Sequence, residues 1–412
     1  MKRRVAITGL GIISPCGNNI PDFSANLLAG KSGVRRISSA YSNLLSVKIA
    51  AEVDFNPFDY FTKKQVSIMD RTGQFALAAA SQAWKDSELS LEPKEKERAG
   101  VYIGSGMGGG NSIEEMYDQL FKQGADRVKP FTVLMVMNNA SASNISIEYG
   151  LSGPCLTLST ACASSGNAIG EAFRQIRDGY VDLMIAGGTE AFLTYGCYRS
   201  WESLRILADE DREDPSKSCK PFSKNRTGLV MGEGAAMVVL EELERAVSRG
   251  APIYAELLGY GSTSDALHLT RPSLEGQVRA MSEGLQEAGL LPEKIDYINA
   301  HGTATQLNDL LETQAIKKVF GEYAYRIPVS STKSMHGHTM GATGAIEFVA
   351  SLLAIKNQAI PPTINLDHPD PECDLDFVQN NARRGVQVKT VMSNSFAFGG
   401  TNAVLIAGKM DG

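Results

Sequence analysis

A layered α/β architecture is expected from three features of this 412-residue chain. Short apolar runs end repeatedly in glycine, as strands buried on both faces do. Between them, apolar residues return at helical spacing. Forty glycines stand beside only 7% aromatic residues, a balance suited to tight turns and close backbone approaches. With 43% hydrophobic residues the chain can bury a sizeable core, and its length suggests two or three domain-sized units.

Lys2-Arg3-Arg4 followed by V-A-I-T-G-L-G imitates the start of a signal peptide, but Thr8, Gly9 and Gly11 interrupt the apolar run and no cleavage site follows. The expectation is a buried first strand, Arg4 to Thr8, entering a glycine turn. Further strands are expected in A-G-V-Y-I-G-S-G at 99–106, D-L-M-I-A-G-G at 182–188 and A-A-M-V-V-L at 235–240. Ala168, Ile169, Ala172, Phe173 and Ile176 define a helix stopped by Gly179, and a second helix is read from Glu241 to Arg249, closed by Gly250 and Pro252. The chain restarts with the strand I-Y-A-E-L-L-G at 253–259, and nothing downstream reads as a repeat of the N-terminal order. The boundary between an N-terminal half, 1–250, and a C-terminal half, 251–412, is placed there. Pro361-Pro362 and the cluster Asp367 to Asp376 read as a surface loop.

A formal net charge of −6 argues against nucleic acid as the main ligand. No apolar run approaches the roughly 18 residues needed to span a bilayer. The six cysteines, at 16, 155, 162, 197, 219 and 373, form no C-x-x-C pair and no short metal-type spacing, which points to a reducing compartment; a cytoplasmic enzyme with no metal and no cofactor is expected. G-S-G-M-G-G-G at 104–110 does contain G-x-G-x-x-G through Gly104, Gly106 and Gly109. No second strand ending in an acid follows at the expected distance, so a nucleotide fold is rejected.

Chemistry is expected at three places. Cys162, in T-A-C-A-S-S at 160–165, stands at the junction of an apolar run and a helix, where unpaired N–H groups and the helix dipole favour thiolate. Small neighbours permit a tight, accessible turn like a nucleophile elbow. Histidine is scarce, yet His301 in N-A-H-G-T-A-T and His336 and His338 in S-T-K-S-M-H-G-H-T-M-G lie in glycine-rich loops, placed to act as hydrogen-bond donors or bases. A zinc site from His336, His338 and Cys162 is conceivable, but no ligand spacing supports it. In S-N-S-F-A-F-G-G-T-N at 393–402, Phe398 before Gly399-Gly400 reads as a mobile aromatic tip whose backbone N–H faces a ligand oxygen. Taken singly, each of these residues also fits a structural role: a buried cysteine, a hydrogen-bonded histidine, an ordinary turn.

T-A-C-x-S-S, H-G-T-x-T, K-S-x-x-G-H-x-x-G and N-S-F-x-F-G-G-T-N, in that order, resemble the β-ketoacyl-acyl-carrier-protein synthases, nearest the synthase II type, over essentially the whole chain. The resemblance implies a thiolase-like fold of two similar α-β-α-β-α halves in a five-layered core, usually as a homodimer. It implies that Cys162 takes an acyl chain from acyl carrier protein as a thioester, with the N–H groups of Cys162 and Phe398 as oxyanion hole. Malonyl carrier protein would then decarboxylate with His301 and His338 holding the enolate, which attacks the acyl-cysteine to give a 3-oxo chain two carbons longer. Lys333 and Glu347 match a supporting pair, Thr303 and Thr305 match residues that hydrogen-bond the pantetheine arm, and Met107 matches a position lining the acyl pocket.

There are departures from the pattern. Ala397 replaces the glycine usual between the two phenylalanines of the gating loop and is expected to restrict it. His336 stands where a small hydroxyl residue is common, and Thr343 where alanine is. In the carrier-docking segment Lys63-Lys64 is followed by Gln65, Val66, Ser67 and Ile68, leaving Arg71, Arg127, Lys129 and Arg205 as basic residues. This suggests docking to a dedicated carrier in fatty acid or specialised polyketide synthesis. Two rival readings are a chain-length-factor-like partner, or the active half of a heterodimer with one, and a hydrolase using a Cys and His pair. Retention of Cys162, His301, His338 and Lys333 argues against a non-catalytic partner. A hydrolase leaves the second histidine loop and the F-G-G-T-N loop without a purpose.

Overall fold

The computed structural model describes residues 2–410. Ten strands form one continuous mixed sheet: β1 (Val5–Ile13), β2 (Ala99–Gly104), β3 (Cys155–Leu158), β4 (Leu183–Glu190), β5 (Gly234–Glu242), β6 (Ala255–Ser264), β7 (Tyr297–Asn299), β8 (Val329–Ser330), β9 (Thr390–Phe396) and β10 (Thr401–Gly408). Their spatial order is β8-β7-β9-β10-β6-β1-β5-β4-β2-β3. Read outward from the central antiparallel β1/β6 pair, the two sides match strand for strand. On each side two antiparallel pairings are followed by two parallel ones. The second half thus repeats the strand order of the first, contrary to the sequence reading that nothing downstream does so.

Five helices complete the layers: α1 (Arg71–Asp86), α2 (Ser164–Arg177), α3 (Leu274–Ala288), α4 (Gln306–Phe320) and α5 (Thr343–Asn357). Helix α1 covers β1, β5 and β4 on one outer face, while α3, backed by α4, covers β6 and β10 on the other. Helices α2 and α5 touch each other and strands of both halves. In α5 every residue from Thr343 to Ile355 is buried, as expected of a helix enclosed on all sides. The result is the five-layered, thiolase-like arrangement. None of the helices among the described residues is long and apolar enough to cross a membrane.

Several sequence-based boundaries shift, each for a physical reason. β1 does not turn at Gly9 but continues, fully buried, to Ile13. Its glycines serve packing: a Cβ at Gly9 or Gly11 would overlap the carbonyl oxygens of Ala83 and Ala79 in α1. Gly259 and Gly261 repeat the arrangement in β6, where a Cβ would overlap the carbonyls of Gly284 and Ala280 in α3, and so the strand runs past 259. The helix read from Glu241 to Arg249 spans only Leu243–Ser248. Glu241 and Glu242 finish β5, and the Glu242 carboxylate caps the helix by accepting from the N–H groups of Glu244 and Arg245. Pro361 and Pro362 are buried rather than on a surface loop, whereas 367–376 is largely exposed apart from Cys373.

Because the glycine contacts are with helix backbone, which cannot swing aside, Gly11→Ala and Gly261→Ala should each destabilise by about 1–3 kcal/mol. Urea unfolding of the two variants checks this; full stability in either would remove the close-packing account.

Candidate active site

Two buried turns and a hairpin converge on one cavity of about 320 Å³. In the first half the chain leaves β3, makes a tight 3₁₀ turn at Ala161–Ala163 and enters α2. Ala161 adopts φ +50°, a strained conformation for a residue with a Cβ. The turn is braced by Ser164, whose hydroxyl accepts from the Thr160 N–H at 2.9 Å and donates to the Ala161 carbonyl at 2.7 Å. This is the elbow expected from the sequence, and it carries Cys162 to the cavity base with only 6% of its surface exposed.

His301 follows the end of β7, and His338 lies in the loop before α5. Their rings meet edge to face, with centroids 5.5 Å apart. The sulfur of Cys162 and a ring nitrogen from each histidine lie within 4.8 Å of one another. Lys333, fully buried, reaches the Glu347 carboxylate at 2.5 Å, the His301 carbonyl at 2.5 Å and His301 Nδ1 at 3.2 Å. His338 Nδ1 accepts the N–H of Met340 at 3.0 Å. With both Nδ1 atoms engaged as acceptors, each ring carries its proton on Nε2.

Burial holds both imidazoles well below their usual pKa, and Lys333 lowers them further. They are therefore neutral donors at physiological pH. Burial also pushes Glu347 above the usual carboxylate range, against the pull of Lys333. The Cys162 thiol is raised to about 11 by burial, although Lys333 and the N–H groups of Phe398 and Cys162 pull it down. The expectation of a resting thiolate is corrected: loss of hydration outweighs the helix dipole. Those two N–H groups face the sulfur.

His336 is not in this constellation. Its Nδ1 donates to the Gly337 carbonyl at 2.8 Å and its Nε2 accepts from the Thr332 hydroxyl at 3.0 Å, with burial lowering its pKa to about 3. The conceivable zinc set of His336, His338 and Cys162 is therefore not assembled. Among the described residues the three groups with ligand reach are Cys162, His301 and His338. The Thr343 hydroxyl braces the His338 loop through the Thr339 N–H at 3.0 Å.

Thr303 and Thr305 line the cavity with hydroxyls 2.9 Å apart. Met107 does not line it: the side chain is 45% exposed, with its sulfur 3.4 Å from that of Cys197. Arg71 is no free docking group, because Glu233 holds its guanidinium at 2.6 Å. Lys129 pairs with Glu115 at 2.6 Å. The turn expected to act as a gate joins β9 to β10, with Gly399 at φ +83° and Gly400 at φ +76°. Ala397 is absent from the residues of positive φ, so its Cβ adds no backbone strain to the turn.

Three contributors escaped the sequence reading. Trp201, in the helix Tyr195–Ser203, stacks on the Phe398 ring with centroids 6.1 Å apart and planes 17° from parallel. Glu312 accepts the N–H groups of His301 and Gly302, both at 2.8 Å. Its signal was an acid on the buried face of α4, in register with Asp309. Glu190 accepts from Gly106, Met107 and Gly341 at 2.7, 3.0 and 3.0 Å, and burial raises it to about 7.

The chain matches the models for the β-ketoacyl synthase N-terminal domain over residues 2–246 and C-terminal domain over residues 254–367. It is 48% identical over 412 residues to a 3-oxoacyl-[acyl-carrier-protein] synthase 2 of Coxiella burnetii, covering 99% of both chains. It is 45% identical, with the same coverage, to a protein of that name from Staphylococcus aureus. Among solved structures it is similar to the ishigamide ketosynthase/chain length factor, with a TM-score of 0.92 and 36% identity over the full length of both chains.

Two outcomes follow from this geometry. Alkylation of Cys162, followed on its own peptide, should rise about tenfold per pH unit between roughly pH 7 and 10, since only thiolate reacts; a plateau below about pH 9 would contradict the buried, neutral thiol. Ala397→Gly should leave the ratio of loading rates for short and long acyl carriers unchanged and lower stability by about 0.5–1 kcal/mol through the unfolded chain. A broadened acyl range would restore Ala397 as a restraint on the gate.

Proposed function

The chain belongs to the β-ketoacyl synthase family, and from that premise we propose how its residues divide the work of a 3-oxoacyl-acyl-carrier-protein synthase. The thiol of Cys162 displaces the carrier from an acyl thioester, forming acyl-cysteine. Malonyl carrier protein enters next. Its C–C bond to the carboxylate breaks, carbon dioxide leaves, and the electron pair becomes an enolate whose oxygen accepts from His301 and His338. The enolate carbon bonds to the acyl carbonyl, the C–S bond to Cys162 breaks, and a 3-oxoacyl carrier departs.

The observation that carries this reading is one sulfur facing two Nε2–H donors at the base of a largely apolar cavity. A developing enolate needs preorganised donors, and neutral imidazoles supply them without adding a cation. A thiol is both nucleophile and leaving group, as a thioester intermediate requires. Phe398 and Cys162 supply the oxyanion N–H groups, Lys333 and Glu347 hold His301, and Thr303 and Thr305 meet the pantetheine amides. The exposed Lys63, Lys64, Arg127 and Arg205 are the basic residues for a carrier's acidic surface.

A self-dimer is the proposed assembly. Strand β3 ends the sheet with Leu156 53% exposed, the helix Ala140–Tyr149 packed against it leaves Ile147 79% exposed, and the helix Thr132–Val136 packed on that one leaves Val133 65% exposed; such an open apolar edge is a pairing surface. Six free thiols fit a reducing cytoplasm.

Cys162→Ala should abolish acyl loading. His301→Ala and His338→Ala should still load acyl groups but lose about 10²–10³-fold in condensation. Intact-protein mass spectrometry and product analysis check both: acyl groups on another residue, or free acid with no carbon–carbon bond, would overturn the reading. Native mass spectrometry of the active enzyme should find two identical copies, and activity only with a second, different chain would favour the heterodimer.

A further inference from the structure

The cavity is almost free of formal charge. Among the described residues its wall contains no aspartate, glutamate or lysine, and the one group carrying a permanent charge is the guanidinium of Arg271. Cys162, His301 and His338 are buried at the base, and Thr303 is buried above them, whereas Arg271 is exposed at the opening. No carboxylate pairs with it among the described residues, in contrast to Arg71, Arg226 and Arg245.

The backbone beneath Arg271 is held in place. His268 Nδ1 accepts the N–H groups of Thr270 at 3.0 Å and of Arg271 at 3.3 Å. Pro272 restricts Arg271 to extended conformations. The Leu269 carbonyl accepts the Gly399 N–H at 2.8 Å, tying the segment to the gate turn. An unpaired guanidinium thus springs from a held backbone position at the rim of an otherwise uncharged, largely apolar shaft.

We propose that Arg271 forms a phosphate subsite for the far end of the phosphopantetheine arm. The assignment rests on the ketosynthase reading, because it takes the occupant to be a pantetheine thioester with its sulfur at Cys162. Such an arm has uncharged amides along its length, which suit the Thr303 and Thr305 hydroxyls. Its one anionic group lies at the end remote from the thioester, which in this cavity is the end at the opening. Guanidinium binds phosphate oxygens through paired, charge-assisted hydrogen bonds, and at a half-wet rim it does so with a modest desolvation penalty. Arg271 would act as a positioning residue: it touches no reacting atom but sets how deep the thioester sits.

Carrier-free donors isolate this contact from carrier docking. Cys162 acylation is followed by mass spectrometry with an S-acyl phosphopantetheine, the S-acyl pantetheine lacking phosphate, and the acyl carrier protein. The native enzyme should prefer the phosphorylated free donor by about five- to tenfold. Arg271→Gln should erase that preference by raising KM for the phosphorylated donor with kcat held, and Arg271→Lys should retain part of it. The exposed side chain predicts unchanged thermal unfolding in both variants. Equal rates for the two free donors in the native enzyme would overturn the subsite. So would a loss in Arg271→Gln seen only with the intact carrier, since the arginine would then read the carrier's acidic side chains. Failure of every donor to acylate Cys162 would refute the ketosynthase reading and the subsite together.

Discussion

The Lys333 ammonium is completely enclosed, and an enclosed charge has to be matched by acceptors or lost. Its three protons find three partners, the Glu347 carboxylate and the carbonyl and Nδ1 of His301. That arrangement decides the rest of the site. It fixes the His301 tautomer, anchors the β7 loop to α5, and projects a positive field onto Cys162, His301 and His338. The same field lowers the affinity of both imidazoles for protons and eases formation of thiolate. One buried cation thus biases the histidines toward neutral donors and the sulfur toward reactivity. Leaving it without its carboxylate would cost about 3–5 kcal/mol, so the pair serves the stability of the site as well as its chemistry.

The two halves meet at equivalent places. Just as the Ala161–Ala163 turn opens α2, the Met340–Ala342 turn opens α5. The first residue of each is strained alike, Ala161 at φ +50° and Met340 at φ +46°. Gly341 therefore occupies in the second half the place that Cys162 holds in the first. A Cβ there would come within 2.5 Å of Glu190 Oε2 and 2.6 Å of the Gly106 nitrogen. The second elbow has no room for a nucleophile; it donates its N–H to Glu190 and carries His338 instead. Glu190 in turn holds the 106–107 loop, binding the first half to the second beside the cavity.

The residues that assemble at the cavity base were legible because each lies in a short motif whose residue types imply chemistry. What escaped was mostly relational. Gly9 and Gly11 looked like a turn because glycine's freedom and glycine's smallness leave the same letter in a sequence; only α1 against β1 shows which is used. The repeat of G-L-G by G-Y-G at 259–261 was visible, but without strand order it carries no weight. Trp201 acts through Phe398 from an element distant in sequence, and Glu312 through the backbone of His301 from the helix that follows its loop. Their roles depend on contacts that no local pattern encodes. The positions of Met107 and Arg71 could not be read for the same reason: exposure and a carboxylate partner, Glu233, belong to the folded chain.

The reversal at Cys162 is a matter of magnitudes. A helix N-terminus contributes about 0.3–2 kcal/mol, at most about one and a half pKa units, whereas full burial can shift a group by 3–5 units. Burial wins, and the thiol rests neutral. The same burial suits the proposed chemistry. Water at the base of the cavity would protonate an enolate and hydrolyse an acyl-cysteine before the two could join. Trp201, Leu204, Phe396 and Phe398 wall that space. In the proposed reaction the donors of His301, His338 and the Cys162 and Phe398 backbones would act there at low dielectric, where each is stronger than in water. A more acidic, better hydrated cysteine would load faster and yet lose its acyl group to water, so the raised thiol pKa accompanies the exclusion of water on which carbon–carbon bond formation depends.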